Sequence, residues 1–178
     1  MKTLQYYFFV PVLLALLSLS SCYNYYYIVR HAEKATPPSN PDTQTPLTPA
    51  GRDRAEALCD TLRSKNIGKI FESQYVRTQQ TAEPTQTALG ITPVQYNNPA
   101  GTADLVTQLR ATTSNVLVVG HTNNIPGIIE GLTGGAVPAA DIVIPDSDYD
   151  NLFVVRRNRC KNPDRYTLYR RTYGLPSP

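Results

Sequence analysis

Short, wholly apolar runs alternate along this chain with stretches in which apolar residues recur every three or four positions. Tyr25-Tyr26-Tyr27-Ile28-Val29 is a β-prone run without polar alternation, the pattern of a strand covered on both faces. It ends at Arg30-His31. A Pro- and Ser-rich loop from Thr36 to Pro46 follows, and then Thr48 and Pro49 open a helix: the threonine can cap free amides, and a proline at the first position has no amide to lose. Ala55, Leu58 and Leu62 share one face of it. Lys69-Ile70-Phe71 predicts a second strand. Pro84 predicts a break, with Thr81 capping a helix that carries the proline in its first turn and Arg77 on a separate short turn before it. Gly90 closes that helix. Thr92 to Tyr96 predicts a third strand, Thr102 to Arg110 a helix with Leu105 and Leu109 inward, and Val116 to Val119 another apolar strand that ends in Gly120-His121. Ile125, Ile128, Ile129 and Leu132 form the stripe of a helix closed by Gly134 and Gly135. Leu152 to Arg156 and Tyr166 to Arg170 predict a last hairpin at the sheet edge.

Strands that alternate with helices predict an α/β fold, a three-layer α/β/α sandwich around a mostly parallel sheet. Ligands of such sheets bind beyond the carboxyl ends of the strands, and both histidines of the chain stand there.

Composition narrows the chemistry. With two histidines and three cysteines among 178 residues, neither a three-histidine zinc site nor a four-thiolate site can be built. No cofactor or metal is expected. The formal charge of +3 is too small for a nucleic-acid binder by charge alone, and the arginines and lysine from Arg156 to Arg171 could form a basic patch, with a solvated face the favoured reading. Lys2, an apolar stretch from Tyr6 to Leu17 too short to span a bilayer, and Leu19-Ser20-Ser21-Cys22 have the proportions of a signal peptide. The last four residues resemble a bacterial lipobox. The expected organisation is therefore a lipoprotein signal peptide over residues 1–21 and one domain over 22–178, held at the cell envelope by lipid on Cys22. Cys59 and Cys160 could pair in an oxidising compartment or be small buried hydrophobes.

Arg30 beside His31, Arg77 at another strand end and His121 at a third make a set suited to a phosphoryl group: guanidiniums bind its oxygens without losing charge, and one imidazole can attack phosphorus. The blocks Tyr27-Ile28-Val29-Arg30-His31-Ala32-Glu33-Lys34, Leu47-Thr48-Pro49-Ala50-Gly51, Ser73 to Ala82 and Val118-Val119-Gly120-His121-Thr122-Asn123, in this order, resemble the histidine phosphatase superfamily, the phosphoglycerate-mutase-like proteins. The resemblance implies a transiently phosphorylated His31, phosphoryl oxygens clamped by Arg30 and Arg77, a hydrogen bond from His121, and a phosphorylated small molecule or phosphoprotein as substrate. Pro37 stands where the mutases of that family carry an asparagine, which points to a small phosphatase. Asp104 is the candidate proton donor, with the N-terminal turn of a helix as its other reading; Glu33 is the runner-up. Asn123 and Asn124 could donate to phosphate or simply cap the helix that they begin. The loops 36–46 and 141–150 are expected to set specificity. Phosphohistidine is a possible substrate, and a non-catalytic phosphate-binding module at the envelope is the alternative.

Overall fold

The computed structural model describes residues 22–98 and 101–177. Its elements run in the order β1 (Tyr23–Arg30), α1 (Pro49–Leu62), β2 (Ile67–Ser73), α2 (Val76–Leu89), β3 (Val94–Tyr96), α3 (Ala103–Ala111), β4 (Asn115–Gly120), α4 (Ile125–Thr133), β5 (Asn151–Asn158) and β6 (Arg165–Thr172). They form a six-stranded sheet in the order β3-β2-β4-β1-β5-β6. The pairs β1–β4, β2–β4 and β2–β3 are parallel, whereas β5 runs antiparallel to β1 and β6 antiparallel to β5.

Alternate residues of the central strands feed two cores. Tyr26, Ile28, Val116, Val118 and Phe153 pack with Leu105 and Leu109 of α3 and the isoleucines of α4. On the other face Tyr27, Val29, Leu117, Val119 and Leu152 pack with Leu58 and Leu62 of α1 and Ala82 of α2. The sandwich expected from the strand–helix alternation is thus present, with an antiparallel hairpin at one edge.

Two expectations are corrected. First, α2 runs unbroken from Val76 through Pro84, and Arg77 lies in its first turn. Thr81 is no cap: its hydroxyl donates to Arg77 O at 2.7 Å and accepts from Ala32 N at 3.0 Å. Burial of Arg77, Thr78, Thr81, Ala82 and Thr85 on one face holds the helix through the amide that proline lacks. Second, Cys160 does not pair with Cys59: it forms a disulfide with Cys22, with Cα atoms 5.2 Å apart, whereas Cys59 is a buried free thiol, the other reading of that residue. The β1–β5 register, Tyr23 opposite Asn158, brings the two cysteines together. One sulfur cannot hold both this bond and a thioether-linked lipid, so in this structure Cys22 is a cross-link. The segment expected to be the signal peptide lies outside the described residues.

Candidate active site

The parallel strands β1, β2 and β4 end side by side, and each delivers one part of the site. Arg30 ends β1 and His31 follows it, the first turn of α2 with Arg77 stands beyond β2, and His121 beyond β4. Arg30 and Arg77 are each 6% exposed, His31 4% and His121 5%. They line a pocket of about 470 Å³ together with Lys34, Tyr75, Asn98, Thr122, Asn123, Asp146 and Tyr149. The two imidazole centroids are 5.3 Å apart.

His31 is fixed on the main chain. Its amide donates to Gly120 O at 2.9 Å, and its ring Nδ1 lies 2.8 Å from Ala32 O. A carbonyl only accepts, so Nδ1 carries the proton and Nε2 keeps its lone pair. Burial pushes the ring's pKa from 6.5 down to about 3, against the Ala32 bond, which raises it, and with help from His121, Arg77 and Arg30. The imidazole is neutral at any ordinary pH.

His121 is oriented differently. The Thr78 hydroxyl reaches two carbonyls, Tyr75 O at 2.7 Å and Ser73 O at 3.0 Å, and its one proton goes to them. Ser73 then donates to Thr78 Oγ1 at 2.8 Å and accepts, at 2.7 Å, from Nε2–H of His121. That tautomer leaves Nδ1 of His121 without a proton. Burial, followed by Arg77, lowers this ring's pKa to about 3 as well. Asn124 holds the main chain here: its Oδ1 accepts from His121 N at 2.9 Å, and its amide nitrogen donates to Tyr96 Oη and Asn98 Oδ1. A Cβ at Gly120 would stand 2.7 Å from Asn124 Oδ1, so glycine leaves room for this brace.

Each arginine is stacked and pinned in the same way. The Arg30 guanidinium lies 4.3 Å from the Tyr149 ring, and its Nη1 donates to the carbonyls of Pro145, Asp146 and Asp148. The Arg77 guanidinium lies 4.3 Å from the Tyr75 ring; its Nη1 donates to Asp42 O and its Nη2 pairs with the Asp42 carboxylate at 3.0 Å. In both, Nε–H is buried without an acceptor. Two orphaned cationic donors beside a neutral nucleophilic nitrogen form an anion site of the kind a phosphoryl group fills. The N-terminus of α4 adds its own preference for an anion.

Of the site residues named from the sequence, the structure places Arg30, His31, Arg77, His121 and, at the exposed rim, Asn123 around one pocket. It leaves out Asp104, which is exposed in the first turn of α3 and lines no part of the pocket. An acid there suits the helix N-terminus, the other reading of that residue. Glu33 is also elsewhere: its carboxylate accepts from Arg54 Nε at 2.8 Å and pairs with Arg54 Nη2 at 2.7 Å. Among the described residues, the carboxylate lining the pocket is Asp146. The sequence does not single out Asp146, Tyr149, Tyr75, Ser73, Asn98 or Asp42 as individual site residues. Asp42, Asp146 and Tyr149 do lie in the two loops expected to set specificity, and Ser73 and Tyr75 in a recognised block; Asn98 carries no local signal.

Residues 26–98 match the family model of the histidine phosphatase superfamily (branch 1). Among solved structures, an Agrobacterium tumefaciens protein described as phosphohistidine phosphatase SixA matches with a TM-score of 0.64 at 24% identity, over 86% of this chain and 97% of that one. The protein histidine phosphatase SixA complexed with tungstate matches at 0.65 and 20% identity, over 83% and 96%. A mycobacterial glucosyl-3-phosphoglycerate phosphatase matches at 0.66 and 14% identity, over 85% and 100%. These are likenesses of fold. A PE-PGRS family protein of Mycobacterium tuberculosis is 43% identical over 56 residues, 29% of this chain and a span of 10% of that protein's length.

Proposed function

We propose that the chain, whose residues 26–98 match the histidine phosphatase superfamily model, is a metal-independent phosphatase of that superfamily that passes a phosphoryl group through His31. The observation that carries this reading is the pair of buried, unpartnered Nε–H donors of Arg30 and Arg77 around a neutral His31. Nε2 of His31 attacks phosphorus, the bond to the leaving group breaks with its electron pair, and a phosphohistidine forms. Water then attacks the same phosphorus, and the pair returns to Nε2 as phosphate leaves. Charge on the equatorial oxygens is met by the two guanidiniums, which already supply what a metal would. His121 donates to the same oxygens once the dianion beside it has raised its proton affinity and placed a proton on Nδ1.

Asp146 is the carboxylate at hand for the leaving group, and as an exposed side chain it gives modest help. Leaving groups that need little protonation therefore suit the site best, and these include the imidazole of a phosphohistidine and aryl oxides. Phosphohistidine proteins and small phosphomonoesters are the substrates proposed. Hydrolysis of p-nitrophenyl phosphate in the presence of EDTA tests the reading. We expect turnover in the parent protein and a loss of at least about a thousandfold in His31→Ala. Activity retained in His31→Ala, or lost on chelation, overturns it, and phosphate binding without turnover in the parent makes the domain a binding module.

The N-terminus supports export by residues 1–21 and attachment to the cell envelope at Cys22 as part of the same proposal. A thioether lipid requires Cys22 Sγ to be released from Cys160. Intact-mass measurement on protein extracted from membranes checks this: an acyl mass with Cys160 as a free thiol is expected, whereas a linked Cys22–Cys160 peptide without acyl mass overturns the lipid anchor.

A further inference from the structure

We propose that the end of the molecule around Cys22 docks on an anionic phospholipid surface and so holds the active-site pocket away from the membrane. This inference does not depend on the phosphatase reading. Strands β1, β2 and β4 begin at this end, α1 and α3 finish there, and the β5–β6 turn closes it. Its acids are already engaged: Asp60 pairs with Arg63 at 2.9 Å and Asp164 with Arg157 at 2.6 Å. Lys65, Lys161 and Arg165 are exposed beside them.

The sheet face that rises from this end is aromatic and cationic. Register places Tyr25 opposite Arg156 and Arg156 opposite Thr167, then Tyr27 opposite Val154 and Val154 opposite Tyr169, so these side chains share one face. The Arg156 guanidinium lies 5.2 Å from the Tyr23 ring and 5.6 Å from the Tyr169 ring, and Arg171 lies 5.6 Å from Tyr169. Tyr25, Val154, Arg156, Tyr169 and Arg171 line a shallow cleft of about 240 Å³, and the buried Nε–H of Arg156 has no acceptor. Tyr23, Tyr25 and Arg156 stand at the Cys22 end of this face, whereas Tyr169 and Arg171 lie farther along it toward the pocket end; tyrosines with an apolar body and a polar tip, set beside a cation, are the residues that sit well at a bilayer's headgroup level.

Position in the chain selects the membrane as the occupant. Cys22 is the residue immediately before β1, and the apolar stretch Tyr6 to Leu17 precedes it in the sequence. Any attachment through that segment brings this end to the bilayer with almost no linker. Charge agrees: Asp42, Asp146, Asp148 and Asp150 lie in the loops at the opposite end of the sheet, where the pocket opens. At ~3.3 Å per residue, the 8-residue β1 sets the pocket roughly 26 Å from the lipid surface.

The test is co-sedimentation of residues 22–178, which contain every described element, with vesicles of phosphatidylcholine alone or mixed with phosphatidylglycerol. We expect binding to the anionic vesicles at least about tenfold tighter than to the neutral ones, and lost in about 0.5 M salt. Lys161→Glu and Arg165→Glu, both on exposed positions, should each weaken it about tenfold. Circular dichroism and p-nitrophenyl phosphate hydrolysis should be unchanged in both. Equal binding to neutral vesicles, no binding to either, or charge-reversed variants that bind like the parent would overturn the proposal.

Discussion

His31 shows how a side chain acquires a role from three neighbours at once. Adjacency to Arg30 is written in the sequence, the bond to Ala32 O is local, and the burial that lowers its proton affinity comes from the assembled sheet. The expected consequence is an imidazole that stays neutral far below the usual histidine range. Titration of His31 and His121 by nitrogen-15 NMR should show both rings neutral at pH 5, with the Nδ1–H tautomer at His31 and Nε2–H at His121; a midpoint near 6.5 for either would contradict the assignment. Vanadate or phosphate binding at pH 7 should add a proton to His121. The partners of Arg30 lie beyond the reach of such local reading, since its guanidinium meets carbonyls 115, 116 and 118 residues away.

At the scale of elements, the loop after β1 and the start of α1 act as one unit that shapes the pocket wall. Lys34 bridges Leu47, Thr48 N donates to Glu33 O at 2.9 Å, and the Thr48 hydroxyl accepts from Gly51 N at 3.0 Å, the cap expected from the sequence. This closure carries the loop back over α2, where Asp42 meets Arg77. Gly51 is what lets the two segments touch: a Cβ there would collide with Glu33 O, a main-chain atom that cannot swing aside. Gly51→Ala should therefore cost about 1–3 kcal/mol in urea unfolding, with a fall in kcat/KM from the displaced Asp42 loop. An unchanged midpoint would show that the loop yields without cost. The break expected at Pro84 failed for a reason of the same scale, because a helix packed along one whole face outlasts the loss of one hydrogen bond.

For the whole molecule, acid is the expected weakness. His31 and His121 have folded-state pKa values near 3 against 6.5 unfolded, so their contribution to stability is complete above about pH 6.5 and is lost as pH falls from there toward 3. Asp42, which desolvation raises but Thr45, Arg77 and Lys34 lower further, acts in the same direction below the ordinary carboxylate range. Glu72 and Asp150 oppose them: burial raises both pKa values, with Asp148 adding to the shift at Asp150, so their contributions are present below the ordinary carboxylate values and fade as pH rises through the raised ones. The two histidines, whose titration spans the interval from 6.5 down to about 3, outweigh these two carboxylates and predict a net fall in the urea midpoint between pH 7 and pH 4, and a smaller fall in His121→Asn. No decline over that interval would refute the balance.

The order of strands and helices, the two buried faces and the strand-end positions of Arg30, His31 and His121 were legible in the sequence, because hydrophobic period and turn residues are local properties that a chain carries with it. Which acid approaches the site, which tyrosine stacks on which arginine, and which cysteine meets Cys160 were decided by strand register and loop closure. Those bring residues more than a hundred positions apart within bonding distance, as with Cys22 and Cys160 at a separation of 138. Asp104 and Asp146 are equivalent as sequence, since each is an acid near a predicted site. Only the folded chain turns one out to solvent at a helix start and sets the other against the pocket.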